Sequence, residues 1–541
     1  MNPRRRPPTD KSIAGRTAPC SESESLGGHC PTSHPHTMSL RRTLWQTLRC
    51  ADDVLHTHAV PVQASRRCRS KSTLSPSARR TYNTLTVNAA DLSFGQPVHE
   101  THPHILQPGE LTPGITAQEY ADRRTRLAAK LPDRAIAIVA ASDIQFRSGS
   151  VFYEFHQDPD FLYLTGFNEP EALAVIGKDP TGKDHTFHLF VREKDPKAEI
   201  WDGARSGTQA ARDVFNADET GDITRLKKIL PQLVGEASQV YTDITTPDPN
   251  QSALRRFLYG PSRKSTEFSD LIESSKVHRL RPVMNDLRAF KSPAEIEVMR
   301  KAGKASGRAH TEAMRKAWTH EKQLDAYIRY RFIANGCDSI AFEPVVAGGK
   351  NALSIHYVRN DDVLQDDEMV LVDGAGKYGG YISDITRTWP VGGKFTDAQR
   401  DLYQAVLTVQ RSLISLCRAS ADVSLDKLHS IAEESLAREL RQIGFDVTSK
   451  TIEALFPHHL SHYIGMDVHD TVGYTRKAVL QEGHCITIEP GIYVPDDQRW
   501  PKHFRNMGVR IEDSISVQED SPYVLTTEAV KEVVDIEALR D

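Results

Sequence analysis

The feature that most restricts how this chain can fold is the placement of four acidic side chains inside strand-like apolar runs. Asp373 closes MVLVD, Asp384 lies within YISDITRTWPV, Glu489 follows Ile488 in ITIEPGIYV, and Glu512 follows Ile511 in MGVRIEDSISV. An unpaired carboxylate in a buried strand is costly, so the fold must bring something cationic to each of them. Residues 369–391 read as a β-hairpin, with an apolar strand at 369–372, a Gly-rich turn at 376–380 and an alternating strand at 381–389. Asp373 and Asp384 are symmetric about Tyr378–Gly379. An in-register hairpin then predicts them directly opposite on one face, with Cα atoms ~4.5–5.5 Å apart. Two solvated hairpin carboxylates are the plainer alternative, but the flanking strands look buried. An Arg510–Glu512 salt bridge accounts for one glutamate and leaves Glu489, Asp373 and Asp384 unexplained.

Four histidines crowd the segment PHHLSHYIGMDVHD at 457–470: His458, His459, His462 and His469. Neutral imidazole is a frequent metal ligand and a proton shuttle near neutral pH. One or two of the four fit ordinary core positions, but not all. Four carboxylates with one imidazole make an oxygen-rich donor set, which suits Mn²⁺ better than Zn²⁺. So much negative charge exceeds what one ion balances, and two divalent ions ~3.5–4 Å apart are expected.

The length of 541 residues suggests three or four folded units. Charge is unevenly spread. Residues 1–90 carry 14 Lys and Arg against 5 Asp and Glu, whereas the other 451 residues carry 54 against 67. An acidic body offers no broad basic surface for phosphates, so no nucleic-acid partner is expected. The longest apolar stretch, AIAIVAA at 135–141, is far short of the ~18–20 residues a membrane span requires, and no transmembrane segment is expected. The seven cysteines form no CxxC pair, which argues against a disulfide framework or a Cys-ligated zinc and favours a reducing compartment.

Residues 1–90 form a basic, Ser- and Arg-rich, acid-poor leader of mitochondrial type. Its grammar starts at Met38, so 1–37 reads as an upstream extension. Arg80-Thr81-Tyr82 near its end predicts cleavage between Thr81 and Tyr82, followed by removal of Tyr82. Residues 91–115 are expected to be a linker. An α/β domain follows over 116–284, opened by a helix at 117–131 capped by Thr116 and Glu119, with strands at 135–141, 172–176 and 188–191 and helical segments at 210–215 and 223–230. The last domain, 285–541, starts a helix at Ser292-Pro293-Ala294-Glu295, a capping box with Pro at its first turn. Two further amphipathic helices are expected, one capped by Thr396 and Gln399, the other at 425–443 and stopped by Gly444.

These four motifs resemble those of the pita-bread metallopeptidases. The Asp373–Asp384 spacing and the DxHD ending at Asp470 are similar to the aminopeptidase P branch, as are FHQDPDFLYLTGFNEPEA (155–172) and IWDGARSG (200–207) in the first domain. PHHLSHYIGMDVHD and AFEPVVAGGKNALSIHYV look most like the mitochondrial, intermediate-cleaving form. The resemblance covers roughly residues 116–537. It implies an α/β N-terminal domain before an α+β pita-bread catalytic domain, and a dinuclear metallo-aminopeptidase acting on peptide or protein N-termini in the mitochondrial matrix or on the inner membrane's matrix face. The alternative it leaves open is an Xaa-Pro aminopeptidase. A binding module that has lost its ligands is disfavoured, because all five ligand positions are intact. Residue by residue, Asp373, Asp384, His462, Glu489 and Glu512 become the metal ligands, Asp384 and Glu512 bridging. Glu489 is also the implied proton carrier. His356 and His469 would contact substrate and the developing oxyanion, and Arg510 would hold the bridging glutamate. Phe342, His458 and Tyr493 would line the substrate site. His459 and Phe342 depart from relatives, which have Gly and Tyr there. In this family the N-terminal domain closes the pocket, often from a neighbouring subunit, so a homo-oligomer is expected.

Overall fold

A computed structural model describes residues 93–178, 184–244 and 276–540. The basic leader, its Met38 start and its Tyr82 processing point lie outside the described residues. The helix Ala117–Lys130 opens the first lobe, and the Thr116 hydroxyl accepts from Glu119 N at 3.2 Å. The reciprocal half of that capping box is missing, because the Glu119 carboxylate is taken by Arg123 and by the Ser292 hydroxyl at 2.6 and 2.7 Å.

Six strands form a mixed sheet in the order Val277–His278, Val240–Tyr241, Ile136–Ala140, Leu173–Lys178, His185–Val191, Glu219–Asp222. Its continuous apolar runs follow from burial on both faces. Ala137 and Val139 pack towards the helix Ala117–Lys130, while Ile138 packs with Leu230 and Val234 of the helix Leu226–Glu236. The stretch expected to be a linker is packed from Gln96 onwards. Gln96, Val98, Leu106 and Leu111 are buried, and Gln96 Nε2 donates to the Gly166 carbonyl at 3.0 Å. Its buried residues follow neither a helical nor a strand period, which is why the sequence pattern misses them.

The second lobe repeats one plan. The helices Pro293–Met314 and Glu321–Ala334 precede a sheet of Val345–Gly348, Met369–Asp373 and Thr386–Pro390. The helices Asp397–Ile414 and Leu425–Gln442 precede a sheet of Cys485–Ile488, Asp513–Val517 and Pro522–Val524. Ser292 with Glu295, and Thr396 with Gln399, make full capping boxes, and Gly444 takes φ +96° beyond the helix Leu425–Gln442. The expected domain boundary after residue 284 falls inside the helix Arg281–Arg288, whose Met284 and Leu287 join a core fed by both lobes. Cys337, Cys417 and Cys485 are buried and free. Among the described residues no helix is long and apolar enough to cross a membrane.

The hairpin register departs from expectation. Asp373 pairs with Thr386, not with Asp384. The turn is Gly379–Gly380, with φ +58° and +86°, and Tyr378 faces Tyr381. A two-residue turn that matches strand twist needs positive φ at both positions, which two glycines supply and Tyr378–Gly379 does not. Asp384 is thereby displaced by two residues from the point opposite Asp373, to a diagonal position on the same face.

Candidate metal centre

The five predicted carboxylate and imidazole positions converge where the two sheets meet. Glu512 N donates to the Thr386 carbonyl at 3.0 Å, and the Thr388 hydroxyl donates to the Arg510 carbonyl at 3.1 Å, which locks the strand ends together. Ligand atoms of Asp384, His462 and Glu512 lie within 4.8 Å of one another, with Asp384 and Glu512 buried. Glu489 Oε1 is 3.6 Å from His462 Nε2. Asp373 lies close to Asp384 and Glu512 and is held by Arg510.

Asp373, Asp384 and Glu512 each have one oxygen that is bonded or faces a neighbour and one that is free. Arg510 Nη2 donates to Asp373 Oδ2 at 2.6 Å, and the Thr386 hydroxyl donates to Glu512 Oε2 at 2.6 Å. Asp384 Oδ2 faces His462 Nε2 at 3.4 Å. Asp373 Oδ1, Asp384 Oδ1 and Glu512 Oε1 are buried with no hydrogen-bond partner. His462 repeats the pattern. Its Nδ1–H donates to the Tyr463 carbonyl at 3.1 Å, so in the neutral ring the Nε2 lone pair points at carboxylate oxygens of Asp384 and Glu489. Lone pairs facing lone pairs in a buried place are satisfied by a cation, so the donor set fits divalent metal.

The electrostatics agree. Burial pushes Asp384, Glu489 and Glu512 well above the usual carboxylate range. Asp373 and Glu489 add to the rise at Asp384, Glu512 adds to it at Glu489, and Asp384 and Asp373 add to it at Glu512. A bound cation reverses the sign of that logic.

Arg510 is 1% exposed, and it contacts Asp373 rather than Glu512. It reaches Glu512 only through Thr386, whose hydroxyl accepts from Arg510 Nε at 2.9 Å. Its Nη1 donates to the Tyr493 oxygen at 2.8 Å. The Tyr493 hydroxyl is left to donate to His458 Nε2 at 2.9 Å, and His458 Nδ1–H to the His459 carbonyl at 3.0 Å. Burial, reinforced by Arg510, pushes His458 down to about 3, so this imidazole is neutral near pH 7. Burial, with His462 and His356 nearby, lowers His469 to about 4.

A cavity of about 730 Å³ opens over the cluster, lined among others by His356, His458, His459, His462, His469 and Glu489. His356 is exposed at its mouth. Phe342 is half-buried and is not among the lining residues. His459 stacks on His429 with centroids 4.5 Å apart.

Sequence reading overlooked the residues behind the ligands. Asp513, fully buried, accepts from Arg387, Lys531, Gln410 and the Thr526 hydroxyl at 2.6–2.7 Å. It faces away from Glu512, as strand alternation requires. Asp470 is buried against Lys291 at 2.8 Å and against Arg288, which also reaches Asp467 at 3.2 Å and so steadies the loop bearing His469. Acid–acid and acid-after-His pairs, Glu512-Asp513 and His469-Asp470, were the available signals.

The chain matches Metallopeptidase family M24 over residues 297–519 and Aminopeptidase P, N-terminal domain, over residues 120–241. It is 45% identical over 471 residues to intermediate cleaving peptidase 55 of Saccharomyces cerevisiae, covering 86% of this chain and 92% of that one. It is 39% identical over 504 residues to Xaa-Pro aminopeptidase 3 of Rattus norvegicus, covering 89% and 97%. A mitochondrial intermediate cleaving peptidase 55 of Arabidopsis thaliana is 36% identical over 466 residues, covering 85% and 90%. The crystal structure of Icp55 from Saccharomyces cerevisiae lacking its N-terminal 58 residues superposes with TM-score 0.72 at 44% identity, over 80% of this chain and 99% of that one. The same protein bound to the inhibitor apstatin gives TM-score 0.68 at 42% identity, over 80% and 99%.

Proposed function

We propose, from the premise that this chain belongs to the aminopeptidase P group of metallopeptidase family M24, that it removes single residues from the N-termini of mitochondrial proteins after their leaders have been cut. It has the pita-bread catalytic domain and is a metal-dependent aminopeptidase of mitochondrial type. The observation that carries the site assignment is the ring of unpartnered buried oxygens on Asp373, Asp384 and Glu512 around His462. Those four residues and Glu489 would hold two divalent ions, with Mn²⁺ the ion this oxygen-rich set favours.

When bound, such ions supply a water acidified into a nucleophile and polarisation of the scissile carbonyl. The chain's own residues do the rest. Glu489, beside His462 and Thr487, accepts the proton released at the nucleophile and returns it to the departing amine. His469, neutral near pH 7, and His356, both facing the cavity, donate hydrogen bonds to the carbonyl oxygen as its charge grows. Arg510 fixes Asp373 and, through Thr386, Glu512, while Tyr493 passes that order on to His458 at the cavity wall. We place the enzyme in the matrix or on the membrane's matrix face, as a homo-oligomer.

The second reading, an enzyme that requires proline at position two, rests on the relative named Xaa-Pro aminopeptidase 3. Peptides with Tyr, Leu or Phe first, with and without proline second, assayed in Mn²⁺, separate the two. Release of the first residue from proline-free peptides supports the processing role. Turnover confined to proline peptides supports the other, and activity that survives chelation and dialysis sinks both.

A further inference from the structure

The hairpin joining Asp373 to Asp384 opens in its middle, and its freed backbone groups go to side chains from elsewhere. Gly374 N still donates to the Ile385 carbonyl at 3.1 Å, and Ser383 N to the Gly376 carbonyl at 3.4 Å. Those bonds mark Gly374–Ile385 and Gly376–Ser383 as the hydrogen-bonded pairs, and each lacks its reciprocal bond; Ala375–Asp384 between them is a non-hydrogen-bonded pair whose backbone groups point outward. On that outer side the Asp384 amide donates to the Ser514 hydroxyl at 3.1 Å, and that hydroxyl donates back to the Asp384 carbonyl at 2.9 Å. On the other strand, the Gly374 carbonyl accepts from His310 Nε2 at 2.7 Å, and the Gly376 amide donates to the Ser306 hydroxyl at 2.9 Å. Buried peptide groups require partners, so His310 and Ser306, by taking the Gly374 carbonyl and the Gly376 amide, hold the two rungs half open, while Ser514 grips Asp384 from its outer edge.

Ser306 and His310 are one turn apart on the helix Pro293–Met314, on a face otherwise built of Ala305, Ala309 and Ala313. Both are fully buried. His310 Nδ1 has no partner, so the imidazole carries an unsatisfied polar atom in a core where an apolar residue would avoid that cost. Burial pushes His310 down to about 3, so the ring is neutral near pH 7, and the Gly374 carbonyl, which can only accept, fixes its one proton on Nε2.

We infer that Ser306 and His310, which hold the hairpin open on either side of Ala375–Asp384, and Ser514, which grips Asp384 from the outer edge, are positioning residues that together set the spacing of the two metal-binding aspartates. Zipped, full bonding of Ile385 to Gly374 and of Gly376 to Ser383 would hold Asp384 at the regular ladder spacing. Open, its carboxylate sinks against His462 and Glu512. This inference rests on the metal reading of the same site and says how the fold enforces it.

The test is Mn²⁺ titration calorimetry on chelated, full-length protein, alongside thermal melts. Ser514→Ala and His310→Leu are expected to weaken Mn²⁺ binding about 10–100-fold, in the range seen for residues that orient metal ligands. Ser514→Thr and His310→Gln, which keep a hydroxyl and an N–H donor, are expected to recover most of it. Val234→Ala, a core truncation in the first lobe, lowers the melting temperature while leaving Mn²⁺ affinity unchanged. Wild-type affinity in Ser514→Ala and His310→Leu, or failure of both conservative variants to rescue, overturns the inference. No Mn²⁺ binding by the wild type would instead overturn the metal reading beneath it.

Discussion

Replacing Glu512 with Gln should make the metal-free protein more stable and the metal-loaded protein less so. Gln keeps the shape and can still accept from Thr386, but it removes one charge from a buried cluster whose ligand atoms lie within 4.8 Å. Two carboxylates at that separation repel by about 3 kcal/mol at an effective dielectric near 20. Burial already drives Glu512 and Asp384 towards their neutral forms, so only part of that repulsion is present at neutral pH. A gain of about 1–3 kcal/mol is expected for the chelated variant. With Mn²⁺ at a hundredfold over its Kd, the wild type gains about 2.7 kcal/mol by mass action, and the variant forfeits most of this.

Urea unfolding of both proteins, with EDTA and with Mn²⁺, should therefore give stability orders that cross. A pH series adds a sign. The folded pKa of Glu512 is raised above the unfolded value of about 4.3, so its contribution is fully present below that value and is lost as pH rises through the folded pKa. Chelated wild type should gain stability from pH 7 towards about pH 5, and Glu512→Gln should gain less. If the chelated variant is the less stable protein by more than about 1 kcal/mol, Glu512 belongs to a structural ion network and the electrostatic reasoning is wrong.

Arg387→Met strands fully buried Asp513 with Lys531 as its remaining cation and should cost about 3–5 kcal/mol in urea unfolding; a loss below about 1 kcal/mol would show that Lys531 suffices. Against the penalty of burial, Arg387 and Lys531 hold the Asp513 carboxyl well below its usual range, so its stabilisation is present above about pH 4 and fades as pH falls further. Tyr493→Phe cuts the link between Arg510 and His458 and should lower kcat/KM about 10–100-fold with little change in melting temperature; undiminished kcat/KM would remove Tyr493 from the site's support. N-terminal sequencing of protein recovered from mitochondria should find Asn83 in active enzyme and Tyr82 in Glu489→Ala, whereas one N-terminus in both rules out self-trimming.

Where local chemistry decides structure, the sequence was legible. The boxes at Ser292 and Thr396 and the stop at Gly444 mark helix ends at the residues where the chain turns, because capping is settled within four residues. The run at 135–141 announced a strand buried on both faces. The segment from Gln96 to Leu111 did not announce itself, since its buried side chains are held by long-range contacts such as Gln96 with Gly166. The direct partner of Arg510 was hidden for a related reason. Strand alternation puts Arg510 and Glu512 on one face, but the guanidinium finds Asp373 from 137 residues earlier in the chain.

The shifted hairpin register is one case of a general property of this site. Asp373 is the last residue of its strand, and Asp384 lies in the gap between Tyr381–Ile382 and Thr386–Pro390. Glu489 falls between Cys485–Ile488 and Gly491–Val494, and Glu512 between Met507–Arg510 and Asp513–Val517. His462 is outside any regular element. Each candidate ligand therefore sits where a ladder is interrupted or ends. Regular pairing would fix a carboxylate's height and direction by the strand's own twist and spacing. A break returns those choices to neighbours such as Thr386, Ser514 and Arg510, which can aim several oxygens at one point. The pattern in the sequence cannot show the breaks, because the residues at them stay almost as buried as the strands on either side: Ile511 and Glu512 are 0% and 2% exposed. Alternation reports burial, and here burial continues across gaps that exist for the ligands' geometry.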